Sequence, residues 1–101
     1  MPLTEVGYWA AFPGDDRPQP QACVGARSPQ DTAKLVRYLR CGYVESWEFG
    51  HSHCRFKCGV ARADMGCCNL TDGRFVWPEG LPHYVEAHGV VLPPGVEAHM
   101  L

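Results

Sequence analysis

Six residues between positions 51 and 68 carry side chains that bind metals or act as nucleophiles: His51, His53, Cys54, Cys58, Cys67 and Cys68. Thiolates and imidazoles are the ligands zinc prefers, four at a time in a tetrahedron. Cys54 and Cys58 are separated by three residues and followed by Gly59. That spacing lets the chain turn both sulfurs toward one point, with backbone amides facing them, so the pair is the expected first half of a zinc site. Cys67 or Cys68, together with His51 or His53, is the expected second half. Cys67 and Cys68 are adjacent, so on a strand they point to opposite faces and at most one reaches a shared metal. Two other states compete with zinc for these residues. Free cysteines are most often small buried apolar groups, and a disulfide is the weaker choice in a reducing compartment.

Catalytic uses of the same residues are less favoured. A nucleophilic cysteine needs a thiolate beside a base, and the sequence adjacency of His53 and Cys54 does not bring their side chains into contact. Glu79 and His83 stand four apart, which suits a carboxylate–imidazole pair but more often marks a solvated helix start. His88 falls at a helix C-terminus, where the dipole alone favours it. The sequence carries no glycine-rich phosphate loop and no paired carboxylates in an evident cleft.

The elements that position these groups are legible in outline. Thr4 to Phe12 reads as a strand and Pro13 to Gln21 as a loop. Ser28-Pro29-Gln30-Asp31 opens a helix, with serine as N-cap, proline at the first position and an acid at the positive end. Leu35, Val36 and Leu39 form its buried stripe, and Gly42 is the expected C-cap. Tyr43 to Phe49 alternates as a strand, and His51 to Gly59 is a compact loop. Asp72-Gly73 turns a hairpin between Cys67–Leu70 and Arg74–Trp77. Pro82 limits the start of a second helix to Leu81 or Pro82, and Gly89 caps its end. On that helix Leu81, Tyr84, Val85 and His88 share a face. Trp77 is expected under it, among the most buried side chains, with its indole N–H on a loop carbonyl. The order strand, helix, strand, hairpin, helix predicts an α+β fold. Its sheet is expected to be small and antiparallel, with about four strands, two helices on one face and the Cys/His loop beside them.

The second half of the chain also carries a resemblance. Thr71-Asp72-Gly73, Val76-Trp77-Pro78-Glu79-Gly80-Leu81, His83-Tyr84-Val85, His88 and Val91-Leu92-Pro93 resemble the ending of a group of small, uncharacterised bacterial proteins. Cys54-Arg55-Phe56-Lys57-Cys58-Gly59 resembles the same group. No activity is established for that group, so the resemblance implies a bacterial cytoplasmic protein and no particular chemistry.

Composition sets the outer bounds. A chain of 101 residues is one domain, 1–101, and buries roughly two-thirds of its unfolded surface. The longest apolar run, Tyr8 to Phe12, is far short of the ~20 residues that cross a bilayer, and the N-terminus does not read as a signal peptide. Charge is uneven: seven basic residues stand against three acidic ones from Arg27 to Arg62, and the rest is acidic. With a net charge of −2 and a pI near 6.2, nucleic acid is a disfavoured partner. The expectation is a small cytoplasmic interaction or binding module with a protein partner, stabilised by zinc if the loop binds one. The alternative is a small enzyme using a Cys/His or metal-bound-water site around His53, Cys54 and Cys58.

Overall fold

A computed structural model describes residues 2–101. The elements are β1 (Thr4–Glu5), a 3-10 turn (Pro20–Cys23), α1 (Pro29–Arg40), β2 (Tyr43–Trp47), α2 (Arg62–Met65), β3 (Cys68–Thr71), β4 (Phe75–Pro78), α3 (Leu81–His88) and α4 (Pro94–Met100). The four strands form one sheet in the order β1-β4-β3-β2, which gives the α+β class that the sequence implies. β2, β3 and β4 are antiparallel to their neighbours, but β1 runs parallel to β4, so the sheet is mixed. Parallel pairing needs a long crossover rather than a hairpin, and here α1, β2 and β3 all intervene.

β1 is also shorter than the strand expected from Thr4 to Phe12. Gly7, with φ of 78°, bends the chain out of the sheet and over α3. A Cβ there would sit 2.6 Å from Leu81 Cδ1, so the position requires glycine for both conformation and space.

α1 begins as the sequence dictates: the Ser28 hydroxyl accepts from the Asp31 amide at 3.1 Å, and Leu35, Val36 and Leu39 are buried. Its end differs from expectation. Gly42 is not left-handed. Its Cβ would lie 2.7 Å from Trp77 Cζ2, so glycine is needed there to make room for the tryptophan. Trp77 has no exposed surface, and its indole N–H donates to the Leu39 carbonyl at 3.1 Å. That carbonyl belongs to the last turn of α1, where the helix itself supplies no partner. Leu35, Leu39, Trp77, Leu81 and Val85 form the centre of the core, with α1 packed on α3.

In the β3–β4 hairpin, Gly73 has φ of 94°. Asp72 contributes through its carboxylate, which accepts from the amides of Arg74 and Phe75 at 2.9 and 2.8 Å. α3 shows the expected buried face, with Leu81, Tyr84 and Val85 inside, and it ends on left-handed Gly89 at φ 64°. The tail forms α4, which buries Val96 and Met100. It is tied to the segment before α1 by the Arg27–Glu97 ion pair at 2.7 Å. No helix among the described residues is long and apolar enough to cross a membrane.

Candidate metal centre

In the loop between β2 and α2, the turn from Cys54 to Gly59 is shaped by two residues of positive φ. The Lys57 amide donates to the Cys54 carbonyl at 3.0 Å, closing a turn. Lys57 then takes φ of 54°, which is unusual for a residue with a Cβ, and Gly59 follows at φ 86°. This reversal swings Cys58 back beside Cys54. Tyr84 of α3 anchors the loop: its hydroxyl accepts from the Arg55 amide at 2.9 Å and donates to the His53 carbonyl at 3.3 Å. The Phe56 ring stacks on His88, with centroids 4.1 Å apart and planes 7° from parallel.

Docked in this way, the loop presents both sulfurs to the two histidines of α3. Cys54 Sγ lies 3.3 Å from His88 Nε2, and Cys58 Sγ lies 3.3 Å from His83 Nε2. The four donor atoms all lie within 4.8 Å of one another. Around a tetrahedral zinc, a sulfur and a nitrogen are about 3.6 Å apart, given bonds of about 2.3 and 2.0–2.1 Å. The observed pairs need adjust by only a few tenths of an ångström. Cys54 is buried, His83 and His88 are half-buried and Cys58 faces solvent. This Cys2His2 cluster can hold a metal ion.

The surroundings of these groups act on their titration in two directions. Burial pushes the Cys54 thiol up, while the amides of Phe56 and Cys58, aimed at its sulfur, pull the other way. The same amides are available to a bound thiolate. Burial, aided by the nearby charge of His88, lowers the pKa of His83. Its ring is therefore neutral at physiological pH, the form that binds a metal.

Of the six candidates from the sequence, only Cys54 and Cys58 enter the cluster. His51 and His53 are exposed on the loop. The polar contact made by His53 is through its backbone carbonyl. Cys67 and Cys68 lie by the start of β3, where Glu79 occupies them. Its carboxylate accepts from the Cys67 amide at 3.0 Å, the Cys68 amide at 3.3 Å and the Cys68 thiol at 3.1 Å. Burial, then the Glu79 carboxylate, pushes the Cys68 thiol up to about 11. Glu79 is thus turned away from the His83 pairing considered for it, and His83 takes Cys58 instead.

The hairpin was expected to deliver the second half of the site; in the structure the two imidazoles beside Cys54 and Cys58 come from α3. The missed signal is His83-x4-His88, since a pair of histidines separated by three to five residues is the usual second half of a Cys2His2 site. Here 24 residues separate Cys58 from His83, well beyond the 12–15 of the compact motif. Comparison of the chain with family models, curated proteins and solved structures finds no match.

Proposed function

We propose that the protein is a small binding module whose loop is locked onto α3 by one structural zinc ion, held by Cys54, Cys58, His83 and His88. The observation that carries this reading is the convergence of four soft donor atoms, from two distant segments, within 4.8 Å. Four protein ligands complete the tetrahedron and leave no open position. Structural zinc sites are closed, whereas catalytic ones keep a place for water. His53, the residue an enzymatic reading would use, stands outside the cluster. The six cysteines are all free, which supports a reducing compartment such as the cytosol. All four ligands fall in the segments that carry the resemblance to the bacterial group, and we extend the proposal to that group.

The test is metal content after purification under reductant and without chelators. We expect about one zinc per chain. Cys54→Ser and His83→Ala should abolish it, while Cys67→Ser and His51→Ala should leave it intact. Metal-free wild-type protein that takes up no added zinc or cobalt would overturn the reading.

A further inference from the structure

We propose that Cys54 and Cys58 form a thiol–disulfide exchange site. Cys58 reacts with a small-molecule disulfide, Cys54 resolves the adduct, and the resulting Cys54–Cys58 disulfide releases the metal. The two sulfurs lie within 4.8 Å of each other. Cys54 is buried, only 5% exposed, whereas Cys58 faces solvent. That asymmetry sets the order of events. Exchange begins at the thiol a reagent can reach and ends at the one it cannot.

Contacts that involve neither sulfur hold the loop in place, so the pair stays together whether or not a metal is bound. The Tyr84 hydroxyl fixes the Arg55 amide and the His53 carbonyl to α3. The Arg55 guanidinium donates to the Ala10 carbonyl at 2.9 Å, and the Gln21 side-chain amide donates to the Arg55 carbonyl at 2.9 Å. Phe56 packs against the core. With the backbone held in this way, the resolving step is a reaction between neighbours rather than a search through solution. The other thiols lack this arrangement. Cys68 is buried and its thiol donates to Glu79 at 3.1 Å, so it is no partner for the adjacent Cys67. Cys23 and Cys41 line two other grooves.

The exchange balances with the incoming disulfide as its only co-reactant. The Cys58 sulfur attacks one sulfur of that disulfide, the bond between its two sulfurs breaks, and one thiolate leaves. A mixed disulfide now sits on Cys58. The Cys54 sulfur attacks the Cys58 sulfur, the mixed disulfide breaks, and the second thiolate leaves. Two cysteines are oxidised and one disulfide is reduced to two thiols. In metal-free protein the two cysteine protons depart with those thiols. In the zinc form the ion departs instead, because metal ligation requires thiolates and a disulfide leaves only His83 and His88. Excess thiol reverses the sequence and restores the cluster.

Release of the ion rests on the zinc reading above, whereas the exchange rests on the two sulfurs alone. The experiment treats purified wild type, freed of reductant, with oxidised glutathione. Free thiols are then alkylated and the disulfides mapped by mass spectrometry, while a chromophoric chelator follows zinc. Trypsin cuts after Lys57, between the two cysteines, so a bridged pair stays joined until it is reduced. The expected product is a Cys54–Cys58 disulfide, with about one zinc released for each disulfide formed. Cys54→Ser should keep glutathione on Cys58, and Cys58→Ser should take up none at Cys54. Glutathione on Cys41, which is exposed, is distinguished by its own peptide. Wild type that pairs other cysteines, or that holds glutathione on Cys58 without closing the bridge, overturns the proposal. Glutathione on Cys54 in Cys58→Ser overturns the order of attack. Protein that keeps its zinc and stays reduced sinks the exchange alone. Protein that binds no zinc yet forms the Cys54–Cys58 disulfide sinks the zinc alone.

Discussion

Cys54 and Cys58 meet two imidazoles across a docked loop, at 3.3 Å each. Cys67 and Cys68, a few residues on, meet a carboxylate that takes up two of their amides and one thiol. By sequence both pairs are plausible zinc ligands. The difference lies in what faces each sulfur. An imidazole offers a second ligand to the same metal. A carboxylate accepts a hydrogen bond from the thiol and disfavours a thiolate beside it, so burial and Glu79 together keep Cys68 protonated. Backbone shape adds to the contrast. The left-handed residues Lys57 and Gly59 converge two sulfurs, whereas the extended backbone of a strand sends adjacent side chains apart. Glu79 makes Gly66 obligatory as well, since a Cβ there would lie 2.1 Å from its carboxylate oxygen.

The largest expected effect separates the two pairs by metal-linked stability. With free zinc about a thousandfold above its dissociation constant, the wild type should gain about 4 kcal/mol against unfolding. His88→Ala should lose most of that gain, and Cys68→Ser should retain it. Thermal melts with and without zinc check both, and equal behaviour of the two variants would erase the contrast. Next in size, Glu79→Ala should cost about 0.5–1.5 kcal/mol by removing its bonds to the Cys67 and Cys68 amides, read from urea unfolding, with zinc content unchanged. Phe56→Ala removes the ring stacked on His88 and should weaken zinc binding about tenfold in competition with a chromophoric chelator.

The smallest effect is in pH. The Cys68 thiol, followed by the amides of Cys67 and Cys68, holds the Glu79 carboxyl below its ordinary value of 4.5 against the opposing effect of burial. A pKa depressed in the folded state contributes stability that is present above the unfolded value and lost as pH falls through the folded one. Between about pH 6 and pH 3, the wild type should therefore lose more stability than Glu79→Gln, by less than about 1 kcal/mol at this exposed position. Parallel curves for the two proteins would show that the carboxylate is not engaged by the strand.

Local chemistry determined much of this molecule. The Ser28 cap, the proline-limited start of α3, its Gly89 stop and the turn at Gly73 follow from backbone rules that hold within a few residues. So does the buried face of Leu81, Tyr84 and Val85, because the helical period fixes which side chains share a side. Burial of Trp77 followed from its place between a strand end and that face. The placement of Cys54 and Cys58 in one candidate cluster also needed only their spacing. Tertiary structure decided the rest. Whether Gly42 serves as a cap or as a space depends on where Trp77 lands, and β1 finds a parallel partner only after α1, β2, α2 and β3 have intervened. The other half of the candidate cluster depended on docking: Tyr84 and Phe56 bring the loop onto α3, and His83 and His88 come beside Cys58 and Cys54 across 24 intervening residues. Spacing rules describe what a short chain can fold back onto itself. They do not extend across a whole hairpin, where packing of the core sets which surfaces meet.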